Sequence, residues 1–131
     1  MRTAILAVDD DKMVLDSIRI QLQRYYASQH LLEFAQDATE GFEVIADLAS
    51  NGITTLLVIS DWIMPGMNGD EFLRKVKSDF PNIKTMMLTG QPNDNELDAK
   101  ACEQFSNATL YKPWSEQQLI ATIDQLLNQK A

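Results

Sequence analysis

Five short apolar runs, each followed by a segment with helical periodicity, limit what this chain can fold into. The runs cover residues 3–8, 31–35, 56–60, 83–88 and 108–111 of a 131-residue chain. Runs of this length, bounded by Gly, Pro, Asn and Asp, are typical of strands buried on both faces. Strands that alternate with helices predict a parallel sheet with helices on both faces. We therefore expect an α/β fold with five strands and five helices, in one domain over residues 1–131.

The segments between the runs predict the five helices and their inward faces. The helices are expected at about 11–26, from a capping box at Asp37 to Asn51-Gly52, from a capping box at Asn68 to Pro81, at about 93–105, and from a capping box at Ser115 onward. Apolar residues at helical spacing define the faces that we expect to be buried. In chain order these are Met13, Val14, Ile18 and Leu22, then Phe42, Ile45, Ala46 and Ala49, then Phe72, Leu73 and Val76, and finally Leu119, Ile123, Leu126 and Leu127.

Polar side chains stand where the predicted strands end. Asp9 and Asp10 follow the first strand, Asp61 follows the third, Thr89 the fourth and Lys112 the fifth. A common doubly wound sheet has the strand order 2-1-3-4-5, with its ligand crevice between strands one and three. In that order all five residues lie at one edge of the sheet, and the three carboxylates are neighbours. We assign Asp11 a different role, as the cap of the first helix.

Three neighbouring carboxylates repel one another and raise each other's pKa unless a cation is present. An oxygen-rich site without histidine suits Mg²⁺, with Mn²⁺ as an alternative, and carboxylates leave part of the ion's coordination shell open for a phosphoryl oxygen. A carboxylate beside such an ion can act as a nucleophile toward phosphorus. Lys112 would supply an ammonium and Thr89 a hydroxyl donor for the transferred group.

Composition excludes several classes of function. The formal net charge of −8 argues against direct binding of nucleic acid by this domain. The apolar run at residues 4–8 is too short for a signal peptide or a membrane span. The single cysteine, Cys102, cannot form an internal disulfide, which fits a cytoplasmic location.

Four motifs in order resemble the receiver domains of two-component response regulators over essentially the whole chain. They are ILAVDDD, VISDWIMPGMNGDEF around Asp61, MMLTG ending in Thr89-Gly90, and LYKPW around Lys112. The resemblance implies the flavodoxin-like receiver fold and a phosphoacceptor switch rather than an enzyme. It implies that Asp61 takes a phosphoryl group from the phosphohistidine of a sensor histidine kinase or a histidine phosphotransfer protein.

The resemblance also implies which residues of the site bind the metal and which bind the phosphoryl group. Asp9 or Asp10, Asp61 and the backbone carbonyl of Ile63 would hold Mg²⁺, and Thr89 and Lys112 would bind the phosphoryl oxygens. A cis bond at Lys112-Pro113 is suggested as well. Phosphorylation would then change the face formed by the predicted helix at 93–105, the fifth strand and the last helix, and so signal to an effector domain or protein.

Two features depart from the family pattern. Members commonly carry Tyr or Phe three residues before the lysine, where this chain has Thr109, and Tyr111 on the same face of the strand is a candidate substitute. The last helix lacks the arginines that pair across the dimer face of one class of DNA-binding regulators. We therefore expect a monomer or a weak dimer.

Three rival functions fit the sequence less well. A flavin-binding protein of the same topology needs a phosphate loop after the first strand, where this chain has DDDK. A phosphatase with a nucleophilic aspartate needs a second aspartate two positions on, where this chain has Ile63. An inert receiver-like interaction module would normally have lost an acidic residue or the lysine, and here all are present.

Overall fold

A computed structural model describes residues 2–89 and 106–128. In chain order the elements are β1 (Thr3–Val8), α1 (Lys12–Tyr26), β2 (Leu31–Ala35), α2 (Ala38–Ser50), β3 (Thr54–Asp61), α3 (Gly69–Asp79), β4 (Lys84–Thr89), β5 (Ala108–Tyr111) and α4 (Glu116–Asn128). The helix predicted at 93–105, and Cys102 within it, fall outside the described residues. Within the described ranges, no helix is both long enough and apolar enough to cross a lipid bilayer.

The five strands form one parallel sheet in the order β2-β1-β3-β4-β5, which confirms the predicted topology. Side chains alternate between the two faces of each strand, so each face builds its own core layer. One layer lies under α1 and α4 and includes Ile5 and Leu57. The other lies under α2 and α3 and includes Leu6 and Val58. These strand residues are 0% exposed, which gives the carboxyl ends of the strands a rigid support.

The buried face of α1 differs from the predicted one at Met13. The helix buries Leu15, Ile18, Leu22 and Tyr26, whereas Met13 is 81% exposed. Met13 lies two residues before Leu15, which places it about 200° away around the helix. The prediction was therefore wrong for Met13, because an apolar residue near the helix start was assigned to the wrong side.

The buried face of α2 is rotated by one position from the predicted one. The helix buries Ala38, Gly41, Ile45 and Leu48, whereas Ala46 and Ala49 are exposed. Close packing against α3 sets this rotation, since a Cβ at Gly41 would lie 2.9 Å from the ring of Phe72. The two alanines were wrongly assigned to the core because small residues fit either side of a helix.

The buried faces of α3 and α4 are nearly those predicted. Phe72, Leu73 and Val76 of α3 are all 0% exposed. Helix α4 buries Leu119, Ile120, Ile123 and Leu126, while Leu127 is only partly buried against the same core layer.

Three of the four caps predicted at Asp37, Asn51-Gly52, Asn68 and Ser115 are present. The Asp37 side chain accepts the Glu40 N–H at 2.8 Å, and Ser115 and Gln118 cap each other reciprocally at 2.9 and 3.1 Å. Gly52, with φ 74°, ends α2 in the left-handed conformation.

The predicted capping box at Asn68 is wrong. The Asn68 side chain makes no hydrogen bond to the start of α3, and its Oδ1 accepts the Met64 N–H at 3.4 Å instead. The side chain is directed back into the loop that joins β3 to α3, so the loop uses the oxygen that the helix would have used.

Candidate functional site

The ends of β1 and β3 bring three carboxylates together, as the sequence predicts. The two strands are neighbours, with Val8 opposite Ser60, so Asp9 lies beside Asp61. One carboxylate oxygen from each of Asp9, Asp10 and Asp61 lies within 4.8 Å of the others. Asp9 is 0% exposed and Asp61 is 7% exposed, whereas Asp10 faces solvent. We call Asp9, Asp10, Asp61, Thr89 and Lys112 the carboxyl rim.

Asp9 is a buried carboxylate in which only one of the two oxygens accepts a hydrogen bond. Its Oδ1 accepts the Asp11 N–H at 2.8 Å, while its buried Oδ2 has no hydrogen-bond partner. Burial raises the pKa of Asp9 to about 6, and the negative charge of Asp61 adds to this rise, against the lowering by the Asp11 N–H. A buried oxygen without a donor costs free energy unless something binds it. The donor set therefore fits a hard cation held by oxygen ligands.

Asp61 is held by an ion pair with Lys112. The Lys112 Nζ donates to Asp61 Oδ1 at 2.9 Å, and the two side chains come from the ends of β3 and β5. Burial raises the pKa of Asp61 above its ordinary value, and the ammonium of Lys112 offsets part of that rise. The arrangement keeps one carboxylate at the centre of the carboxyl rim with a cation already on one side of it.

Asp11 has the role of a helix cap, as expected. Its side chain accepts the Met13 N–H at 2.9 Å at the start of α1. It does not belong to the group of three carboxylates that could share an ion. Within the Asp9-Asp10-Asp11 run, the first two residues therefore belong to the carboxylate group and the third caps α1.

Trp62, the residue after Asp61, connects the loop that follows β3 to β4 and to the start of α3. Trp62 donates its N–H to the Leu88 carbonyl at 2.8 Å, and Gly69 donates its N–H to the Trp62 carbonyl at 2.7 Å. A Cβ at Gly69 would collide with the backbone carbonyl of Asp61. Sequence reasoning missed this role of Gly69, although the Asn-Gly pair before a helix was a signal for a close backbone approach.

Ile63 lies within this loop, directly beyond Trp62. Its side chain is 70% exposed. Its backbone carbonyl as a metal ligand stays a prediction.

The remaining predicted residues lie where β4 and β5 end, at the same carboxyl end of the sheet. Thr89 ends β4 opposite Tyr111 of β5, and the Lys112 N–H donates to the Thr89 carbonyl at 2.8 Å. The Lys112-Pro113 peptide bond is cis, as the family resemblance suggested. Thr109 is half-buried, and its hydroxyl lies 3.2 Å from the Ser106 hydroxyl.

Comparison with known proteins gives a consistent result. The family model described as "Response regulator receiver domain" matches residues 5–124. Hybrid signal transduction histidine kinase D of Dictyostelium discoideum is 30% identical over 128 residues, which are 96% of this chain and 8% of that protein. Response regulator protein VraR of Staphylococcus saprophyticus is 28% identical over 131 residues, which are 100% of this chain and 59% of that protein.

Solved structures resemble the fold over nearly its full length. The signal receiver domain of an HD domain-containing protein from Pseudomonas fluorescens has a TM-score of 0.81 at 31% identity, covering 97% of this chain and 95% of that one. A response regulator receiver domain protein from Methanospirillum hungatei has a TM-score of 0.79 at 28% identity, covering 98% and 95%. This chain spans less than two thirds of the length of the two curated relatives.

Proposed function

This chain belongs to the response regulator receiver domain family, and from that membership we propose that Asp61 is its phosphoacceptor. The donor would be the phosphohistidine of a sensor histidine kinase or a histidine phosphotransfer protein. Receiver domains act as phosphoacceptor switches rather than as classical enzymes. The observation that carries the proposal is the Asp61 carboxylate, held by Lys112 Nζ at 2.9 Å and beside the unpartnered Oδ2 of Asp9.

The proposed transfer is a single displacement at phosphorus. A carboxylate oxygen of Asp61 forms the new O–P bond as the P–N bond of the phosphohistidine breaks. The electron pair of that P–N bond stays on the imidazole nitrogen, and a ring protonated on its other nitrogen leaves as neutral imidazole. Lys112, already within hydrogen-bond distance of Asp61, is placed to balance charge on the transferred group. The Thr89 hydroxyl is the proposed second donor.

The buried orphan oxygen of Asp9 supports a divalent cation at the carboxyl rim. We propose that Asp9, Asp10 and Asp61, with the backbone carbonyl of Ile63, would hold Mg²⁺ or Mn²⁺. The bound ion would supply positive charge against the phosphoryl oxygens. The protein's own contribution is to hold the carboxylates together at the buried carboxyl ends of two neighbouring strands.

A fluorescence titration tests the proposed site. Trp62 adjoins Asp61 in the chain and is partly buried, so binding of beryllofluoride or reaction with acetyl phosphate in the presence of Mg²⁺ should change its emission. Asp61→Asn should abolish the response to both compounds, whereas Asp11→Asn should retain it. A response that survives in Asp61→Asn would contradict the assignment of the phosphoacceptor.

The output of the switch is proposed to pass through β5. Tyr111 lies opposite Thr89 in the β4–β5 register, and Thr109 occupies the position where the family commonly has an aromatic residue. We propose that Tyr111 takes over part of that role. Tyr111→Ala should weaken phosphorylation-dependent binding of the downstream partner while leaving phosphoryl uptake unchanged, and Thr109→Ala should change neither. Equal partner affinity of phosphorylated wild type and Tyr111→Ala would reject this role.

We also propose several properties of the domain as a whole. We propose one domain over residues 1–131, a monomer or weak dimer, no binding of nucleic acid or membrane by this domain, and a cytoplasmic location. An effector domain or protein would receive the signal. The negative charge of the domain and its single cysteine support these assignments.

A further inference from the structure

A pocket lies at the end of the sheet opposite the carboxyl rim. It has a volume of about 640 Å³ and opens where α2 and α3 end, next to the first residues of β3. Its lining includes Ile45, Ile53, Leu56, Phe80 and Ile83. We call it the amino-end pocket. A volume of this size lies within the range of sites for small organic ligands, about 300–1,000 Å³.

A bulge in the central strand opens this pocket. Between β1 and β3 the register shifts, so that Thr55 and Leu57 pair with consecutive β1 residues and Leu56 has no partner there. Leu56 is consequently only half-buried, although its neighbours Thr55 and Leu57 are buried. Bulges redirect side chains and are often found beside binding sites. Here the bulge leaves an aliphatic side chain of the most central strand open to solvent at the pocket floor.

The charge at the pocket mouth selects the class of ligand. Among the described residues, Asp79 is the one ionisable side chain that lines it, and no Lys, Arg or His of these ranges does so. Helices α2 and α3 both end at this pole, where the backbone carbonyls give a partial negative charge. The last turn of α2 carries no basic residue, and Lys77 in the last turn of α3 does not line the pocket.

We propose that the amino-end pocket binds a small organic cation, with an apolar body against Leu56 and Ile83 and an ammonium group near Asp79. The apolar lining accounts for binding of the body, and the carboxylate with the two helix ends accounts for the preference in charge. This site is separate from the carboxyl rim and does not depend on the function proposed for Asp61.

Three naphthalene probes with the same apolar body test the proposal. They are 2-(1-naphthyl)ethylammonium, 2-(1-naphthyl)ethanol and 3-(1-naphthyl)propanoate, each titrated into the protein while methyl NMR shifts are followed. We expect saturable shifts at Ile45, Ile53, Leu56 and Ile83, and none at Ile5, Ile18 and Ile123, which pack on the other face of the sheet. The ammonium should bind about twofold to fivefold more tightly than the alcohol, as expected for an exposed charge pair, and the carboxylate more weakly than the alcohol.

Matched variants separate pocket binding from adventitious contact. Asp79→Asn should remove the advantage of the ammonium and leave the alcohol unchanged. Ala49→Phe should fill the pocket and abolish binding of all three probes, whereas Ala46→Phe should not, because both alanines are exposed on α2 but only Ala49 lines the pocket. Equal binding of ammonium and carboxylate, shifts of equal size on both faces of the sheet, or unchanged binding in Ala49→Phe would each overturn the proposal.

Discussion

The middle of the sheet and its carboxyl rim lie within a few residues of each other but follow opposite rules. In the middle, strand residues such as Ile59 and Met87 are apolar, fully buried and packed on both faces. At the carboxyl ends of β1 and β3, Asp9 and Asp61 are buried carboxylates with raised pKa values. The first region stabilises the fold, whereas the second holds negative charges that destabilise it unless a cation offsets them. The residues of the proposed function therefore lie in the destabilised region, and the packed middle of the sheet compensates for their cost in stability.

The largest expected effect is the loss of a core ring. Phe72→Ala should lower the free energy of unfolding by about 3–5 kcal/mol, because a fully buried aromatic residue leaves a cavity. Its ring packs on Gly41 and lies 5.0 Å from the ring of Phe42. Urea unfolding measures the change, and Lys75→Ala on the exposed side of α3 should stay within about 0.5 kcal/mol of wild type. A small change for Phe72→Ala would mean that the middle of the sheet is not the stabilising region.

Removing a buried charge from the carboxyl rim should raise the free energy of unfolding, whereas Phe72→Ala should lower it. Without divalent cations at pH 8, Asp9→Asn should raise the free energy of unfolding by about 2–3 kcal/mol, since its raised pKa means that the fold disfavours the ionised form. The amide can still accept the Asp11 N–H. A destabilised Asp9→Asn protein would show that the carboxylate is well compensated in the fold.

The same carboxylate predicts how stability changes with pH. Its pKa is 3.8 when unfolded and about 6 when folded, so the fold binds the proton more tightly. The stability contributed by protonated Asp9 is therefore fully present below pH 3.8 and is lost as the pH rises to about 6. Unfolding curves measured in chelator should show this loss in wild type and a smaller one in Asp9→Asn, because the pKa of Asp61 is also raised.

Binding of a divalent cation should offset the loss of stability that the carboxylates of the carboxyl rim cause. At a Mg²⁺ concentration ten times its dissociation constant, wild type should gain about 1.4 kcal/mol of stability. The gain should be larger at pH 8 than at pH 5, because Asp9 must lose its proton to bind the ion. Asp9→Asn and Asp10→Asn should lose most of the gain, and Asp11→Asn should keep it. Equal gains in stability in all three variants would show that the cation does not bind at the carboxyl rim.

The smallest expected effect distinguishes two helix starts that look alike in sequence. Asp37→Ala should cost about 1 kcal/mol, because its side chain accepts the Glu40 N–H. Asn68→Ala should cost less, since Asn68 makes no such bond to α3. Chemical denaturation of the two variants side by side gives the difference. An equal cost would mean that Asn68 caps α3 in solution.

Much of the fold could be predicted because strands buried on both faces leave a clear apolar signal. Parallel connectivity leaves few strand orders, and the common order 2-1-3-4-5 predicted the meeting of Asp9, Asp10 and Asp61. The side of a helix that is buried was harder to predict, because Met13, Ala46 and Ala49 have helical spacing but their exposure depends on how each helix rotates against its neighbours. The bulge at Leu56 could not be read from a uniform apolar run, since the shift depends on the pairing with β1.

The central claim is that Asp61 is the residue of the carboxyl rim that takes the phosphoryl group. Peptide mass spectrometry after incubation with acetyl phosphate and Mg²⁺, with borohydride reduction to trap the acyl phosphate, tests it most directly. We predict one phosphoryl-derived modification per chain, located at Asp61 and absent from Asp61→Asn. A modification that maps to Asp9 or Asp10, or one that persists in Asp61→Asn, would contradict the account.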